Sequence, residues 1–192
     1  MTEVRRIREE DIPEVLKISL KELGSDYLDA SDFCRAMEDP EQFCNVAVED
    51  GVPVGFAVCR MFAPDEEPDA LGLPDCPERE EVLRHSRIGL LDSVAIGEGM
   101  KGRGVGTLMC EISAREMLDE GCTMICAMAW KSVFGKTNIA GILAKMGMSE
   151  TVAIRGYWNR MVSSEKGHDC PICGAPCRCF GVFWYRAYPD AA

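Results

Sequence analysis

Residues 90–107 read Leu90-Leu91-Asp92-Ser93-Val94-Ala95-Ile96-Gly97-Glu98-Gly99-Met100-Lys101-Gly102-Arg103-Gly104-Val105-Gly106-Thr107, and the fold turns on them. The apolar run at the start predicts a buried strand. A glycine-rich turn bearing Lys101 and Arg103 follows. Val105, Leu108, Met109 and Ile112 then recur at helical spacing, which predicts an amphipathic helix to about Glu120, with Gly121 as its C-terminal cap. A strand, a glycine turn and a helix start together make an anion site. The first amides of a helix are free and its dipole favours negative charge there. Glycine lets the backbone approach a ligand closely, and Lys101 and Arg103 place positive charge where a diphosphate would sit.

Three kinds of glycine turn compete for this stretch. A P-loop needs a lysine before its Ser/Thr, but Gly106 directly precedes Thr107. Gly97, Gly99 and Gly102 match a dinucleotide fingerprint, which would point to a nucleotide-dependent oxidoreductase. That fingerprint needs an acidic residue on the next strand, about 20 residues on. Here Asp119 and Glu120 end the helix, and the strand expected at Thr123–Trp130 carries no acid. The third pattern, Arg/Gln-x-x-Gly-x-Gly/Ala, is met at Lys101-Gly102-Arg103-Gly104-Val105-Gly106 with lysine in first place. This resembles the acetyl-CoA-binding motif of the GNAT acetyltransferase superfamily.

The 192 residues suffice for one buried domain with an appendage. The net charge is −11, which argues against nucleic-acid binding, a function that needs a basic footprint. It could instead steer cationic amines toward a cleft, or simply serve solubility. No apolar run approaches the ~18 residues of a membrane span, and the first residues show no signal segment, so a cytoplasmic protein is expected. The 11 cysteines then read as core thiols plus a metal site rather than disulfides.

Along the chain, Val4–Arg8 predicts a strand. Asp11, Pro13 and Glu14 predict a capped helix with Ile12, Val15, Leu16, Leu20 and Leu23 on its apolar face. A second helix is expected over Ser31–Met37. Strands follow at Cys44–Val48 and Val54–Met61, joined by an Asp50-Gly51 hairpin turn. Ala63–His85, rich in Pro, Asp and Glu, predicts mostly surface loop with a helical turn at Glu78–Leu83, the kind of connection that often serves as a lid or a disordered insert. His85 is expected to be exposed. Asn138–Met146 predicts a short helix capped by Gly147. Val152–Met161 and Phe180–Tyr188 predict two final strands forming a hairpin.

This order, β-α-α-β-β-β-α-β-α-β-β, is also similar to the GNAT fold: an α/β (α+β), mostly antiparallel twisted sheet flanked by helices, with one parallel β-α-β pairing. The resemblance implies a single domain over 1–192, with 163–180 an insertion in the final hairpin. It implies that the strand before the turn splays from its neighbour, so that the main chain of Val94, Ala95 and Ile96 holds the pantetheine arm and polarises the thioester carbonyl. The diphosphate would rest on the amides of Arg103, Gly104, Val105, Gly106 and Thr107, with Lys101 and Gly102 shaping the turn and Asn138 near the cofactor. Acetyl transfer also needs a base, because free alkyl amines are protonated at neutral pH. Asp92 interrupts the apolar run two residues from Val94, on the face that strict alternation gives both. Alternatively Asp92 faces solvent or pairs with an arginine such as Arg87. The tyrosine that protonates the thiolate in this family falls at Leu143; Tyr157, Tyr27 or water would have to substitute.

Cys170-Pro-Ile-Cys173-Gly-Ala-Pro-Cys177-Arg-Cys179 places four thiols in a short segment. Four soft ligands suit tetrahedral zinc in a closed structural site. Cys-x-Cys is tight for one ion, so His168 could replace one of that pair. Such a metal would clip a hairpin tip expected to bury almost nothing. The expected activity is transfer of acetyl from acetyl-CoA to a primary amine of a small molecule, peptide N-terminus or lysine by direct attack. A non-catalytic module that senses CoA or docks a protein is the alternative. The family often dimerises, which leaves a homodimer open.

Overall fold

The computed structural model describes residues 2–189. Its strands are β1 (Glu3–Arg6), β2 (Gln42–Glu49), β3 (Val52–Phe62), β4 (Ile88–Ile96), β5 (Met124–Lys131), β6 (Ser149–Arg155) and β7 (Phe180–Ala187). Its helices are α1 (Ile12–Leu23), α2 (Ala30–Glu38), α3 (Pro77–Val82), α4 (Val105–Asp119) and α5 (Ala140–Lys145). One sheet takes the order β1-β2-β3-β4-β5-β7-β6. All its neighbours pair antiparallel except β4 and β5, which α4 joins as a parallel crossover.

Turn chemistry sets the local geometry. Asp50 (φ 51°) and Gly51 (φ 81°) both take left-handed conformations at the β2–β3 hairpin, as a two-residue type I′ turn demands. Gly121 (φ 87°) closes α4.

The sheet buries both faces, and β5 shows how. Ile125, Ala127 and Ala129 pack with α4 residues Val105, Met109, Cys110, Ala114 and Met117 and with Leu143 of α5. The alternate residues Met124, Cys126 and Met128 point to the opposite face. There α1 and α2 cover the β1–β4 side through Val15, Ile18, Phe33 and Ala36. Among the described residues, the β4–β7 side has no helix of that length over it. Leu71, Leu73 and Val82 cover it, together with Tyr157, Trp158, Cys170, Cys177 and Cys179.

Two expectations are corrected by this arrangement. Residues 63–85 are not a free lid or insert, because Leu71 and Leu73 are 4% and 6% exposed, and the Tyr157 hydroxyl donates to the Leu71 carbonyl at 3.0 Å. The cysteine segment is not a hairpin tip that buries almost nothing; it is a wall of the core. The strand before it ends at Arg155, and Tyr157–Met161 form a 3-10 turn that carries Tyr157 and Trp158 inward.

Two smaller differences have plain causes. Asp11 does not cap α1 with its side chain. Its carboxylate takes two bonds from Arg5, at 2.7 and 3.0 Å, and one from the Arg8 amide at 2.8 Å, tying β1 to the helix start. His85 is not exposed: its side chain retains 13% accessibility and its Nδ1 lies 2.9 Å from Thr123 Oγ1.

Candidate active site

The site begins where β4 and β5 part. Their parallel pairing runs from Ile88↔Met124 to Leu91↔Ala127 and stops, although β4 continues to Ile96 and β5 to Lys131. Beyond Leu91, β4 keeps its other partner, with Val94, Ala95 and Ile96 opposite Ala57, Phe56 and Gly55 of β3. Its edge toward β5 has no strand partner among the described residues, so main-chain groups along it are free for a ligand that can complete the ladder.

Asp92 sits at this fork. The β3–β4 register passes from Cys59↔Leu91 directly to Val58↔Ser93, so Asp92 is the extra residue of a β-bulge. The bulge reverses the alternation. Leu91, Val94 and Ile96 all pack on the α4 face, whereas Leu90 packs on the opposite face with Tyr157 and Tyr27. The expectation that Asp92 shares a face with Val94 is therefore corrected. The groups acting on its carboxyl include Ser93, Arg60 and Asp32, and Asp92 in turn acts on Tyr27 and Tyr157. Arg87 pairs elsewhere, with Glu41 at 2.7 Å.

Burial pushes the Asp92 carboxyl above the usual carboxylate range, and Asp32 adds to the rise. The Ser93 hydroxyl, donating to Oδ2 at 3.0 Å, and Arg60 pull the other way. Burial, helped by the Asp92 charge, drives the Tyr27 phenol well above its ordinary range, with Ser93 opposing. Tyr27 is thus neutral at physiological pH.

The glycine turn follows β4. Gly102 and Gly104 have φ of 81° and 82°, and a Cβ on either would meet no atom within 4 Å. Open space above left-handed glycines is what a ligand resting on the backbone requires. The first helical bond of α4 is Leu108 N–H to Gly104 C=O at 3.0 Å, so the amides of Val105, Gly106 and Thr107 precede the helical ladder. Gly106 packs tightly instead: a Cβ there would lie 2.9 Å from Ile142 Cδ1 and 3.4 Å from Ile96 Cγ1. It holds the helix start against α5 and β4.

The two basic side chains of the turn are already paired. Lys101 binds Glu22 of α1 at 2.6 Å, and Arg103 binds Glu49 of β2 at 2.8 Å. Glu98 in the same turn pairs with Lys21. These ion pairs strap the turn to the scaffold. The Arg103 amide, expected on the diphosphate, instead donates to the Met100 carbonyl at 3.4 Å, which leaves the amides of Gly104, Val105, Gly106 and Thr107 as the free donors. Asn138 is exposed in the loop before α5. Leu143 is fully buried in the core, and Tyr157 is engaged with Leu71.

The four cysteines converge. Their Sγ atoms all lie within 4.8 Å of one another. Cys170–Cys179, Cys173–Cys179 and Cys173–Cys177 are 3.8, 3.6 and 3.9 Å apart. A zinc tetrahedron with ~2.3 Å Zn–S bonds has edges of ~3.8 Å, so the donor set fits one tetrahedral ion. Burial opposes ionisation of Cys173, but the Arg178 amide, donating to its sulfur at 3.2 Å, and the neighbouring thiols bring it down to about 7. His168 is not part of this set; its Nδ1 lies 3.0 Å from Asp26 Oδ1.

The sequence profile of the acetyltransferase (GNAT) family matches residues 2–133, and the chain belongs to that family, whose members transfer acetyl groups from acetyl-CoA. No curated protein sequence matches the chain. Among solved structures it is similar to the Escherichia coli ribosomal-protein-S18-alanine N-acetyltransferase, at 12% identity and TM-score 0.66, covering 100% of this chain and 97% of that one. It is similar to Arabidopsis thaliana NAA60 in complex with a bisubstrate analogue, at 10% identity and TM-score 0.69, with 100% of both chains covered. It is also similar to the Drosophila melanogaster polyamine N-acetyltransferase, which forms N-acetylagmatine, at 12% identity and TM-score 0.62, covering 97% of this chain and 100% of that one. At these identities the likeness is one of fold. The cysteine segment lies outside the span of the family profile.

Among the described residues, no helix is long and apolar enough to cross a membrane.

Proposed function

We propose that this chain transfers acetyl from acetyl-CoA to a primary amine, with Asp92 as the general base. The observation that carries this reading is the bulge at the β4–β5 fork: it sets one carboxylate at the mouth of a strand edge whose main chain lacks a partner among the described residues. The amides of residues 104–107 cradle the diphosphate. The free edge of Val94, Ala95 and Ile96 takes the pantetheine arm, and an amide there stabilises the oxyanion. Asp92 removes a proton from the amine. The amine nitrogen attacks the thioester carbonyl, the C–N bond forms, and the C–S bond breaks as the oxyanion collapses.

Because Leu143 cannot donate a proton, the departing thiolate takes, through water, the second proton that the attacking nitrogen must lose to become the amide. The net charge of −11 favours a cationic acceptor. The buried Leu143 also favours a second reading, a scaffold that binds CoA without turnover. Release of CoA in the presence of a panel of primary amines, with diamines included, is expected from the first reading. Tight CoA binding with no release across the panel supports the second.

The cysteine segment is assigned a structural metal, most consistent with zinc. Cys170, Cys173, Cys177 and Cys179 would hold it, and a closed four-thiolate shell leaves no open position for chemistry. Structural zinc in small peptides contributes about 10–16 kcal/mol at neutral pH. Purified protein is expected to carry one zinc per chain. Cys177→Ser should lose the metal and melt at a lower temperature. A metal-free preparation with all four thiols freely titratable and an unchanged melt overturns the assignment.

A further inference from the structure

The segment that bears the cysteines is bonded to the loop between α1 and α2. Asp26 is the contact. Its carboxylate accepts from His168 Nδ1 at 3.0 Å and from the Asp169 amide at 3.1 Å. Gly24 allows the approach: a Cβ there would lie 2.7 Å from the Asp169 carbonyl oxygen and 2.9 Å from His168 Cε1. On the far side, Asn159 anchors the same segment. Its Oδ1 accepts from the amides of His168 and Cys177, at 3.1 and 2.8 Å, and its Nδ2 donates to the Cys177 carbonyl at 2.9 Å.

Tyr27 follows Asp26 directly. Its ring packs edge-on against His168 at 5.7 Å and Trp158 at 5.9 Å between centroids, against the same core cluster as Leu90 of the bulged strand. The loop carries no regular structure from Gly24 to Asp29; Leu28 packs into the core and Asp29 caps α2, and the Asp26 and Tyr27 contacts fix the stretch between. We infer that Asp26 is a positioning residue through which the metal-bound cysteine segment holds Tyr27 over the bulge, making one wall of the acceptor pocket. The inference deepens the acetyl-transfer reading and rests on it for the pocket alone. The contact between the two segments is independent of that reading.

The test uses metal-loaded protein, with Asp26→Ala as the main variant and Asp26→Asn, which keeps one acceptor oxygen, as the conservative one. Asp26→Ala is expected to raise the KM for the amine about tenfold, the scale of losing a charged hydrogen bond. The acetyl-CoA KM and the zinc content should stay as in wild type, and Asp26→Asn should lie between. Amide hydrogen exchange over residues 24–30 supplies a readout apart from activity. It should quicken in Asp26→Ala, and equally in wild type stripped with EDTA. Stripping Asp26→Ala should add little, because both changes break one chain of contacts. Unchanged exchange over 24–30 in either case overturns the joint. Faster exchange with an unchanged amine KM overturns the positioning of the acceptor wall. If no amine is acetylated by wild type, the acetyl-transfer reading has failed, and the exchange data still decide whether the joint exists.

Discussion

Gly104→Asp is expected to weaken acetyl-CoA binding by at least ~100-fold in calorimetric titration. Gly104 holds φ at 82° at the head of α4, with open space where a side chain would stand. Asp and Asn tolerate that backbone region better than other residues with a Cβ. Strain is therefore a minor part of the effect. The major part is charge, because a carboxylate about 4 Å from a phosphate, at an effective dielectric near 20, costs about 4 kcal/mol. Gly104→Asn, of equal size and without the charge, separates obstruction from repulsion and is expected to lose much less.

Arg103→Ala sharpens the comparison. Arg103 is half-exposed and paired with Glu49, and exposed pairs contribute at most about 1 kcal/mol. A small effect at Arg103 beside a large one at Gly104 assigns the binding to main-chain amides. Equal affinity of wild type and Gly104→Asp removes the diphosphate from this turn.

The turn itself was legible in the sequence because its information is local. Glycines at defined offsets, a preceding apolar run and a helical repeat after it are all read within one short span. The parallel β4–β5 pairing followed from the crossover rule applied to the same stretch. What could not be read depends on partners distant in the chain. Lys101 and Arg103 look like ligands for phosphate until Glu22 and Glu49 come alongside. Asp11 has the look of a cap until Arg5 claims its carboxylate.

The bulge at Asp92 is the most consequential case. Strict alternation along β4 gives Asp92 the side of Val94, and no residue within the strand announces the extra position. It arises in register with β3, between Val58 and Cys59. The covering of the β4–β7 face is similar. Proline and acidic residues between 63 and 85 suggest a solvated loop, yet Leu71 and Leu73 suffice to fold it under Tyr157. The cysteine cluster could be identified from its spacing, while its contact with Asp26, more than 140 residues away in the chain, could not.

Asp92→Asn is expected to lower kcat by about 10²–10⁴, the usual contribution of a positioned base, and to leave the protein at least as stable. The two outcomes follow from one raised pKa. In the folded chain burial holds the Asp92 carboxyl above its ordinary value, so the folded state binds the proton more tightly than the unfolded state. Its favourable contribution is then fully present at low pH and is lost as pH rises through the folded pKa. Ionised Asp92 at neutral pH is a cost that asparagine does not carry, and thermal melts of the variant at pH 7 should not fall below wild type.

Activity moves the opposite way with pH. The base works only when ionised, so wild-type kcat/KM should drop as pH falls through the same raised pKa. The Asp92→Asn variant has no such group, and its acid limb should vanish along with most of its rate. A structural carboxylate gives the reverse pattern, with lost stability and an unaltered profile. A slower enzyme that melts no lower and no longer responds to acid is the signature of a residue kept for chemistry at the expense of the fold.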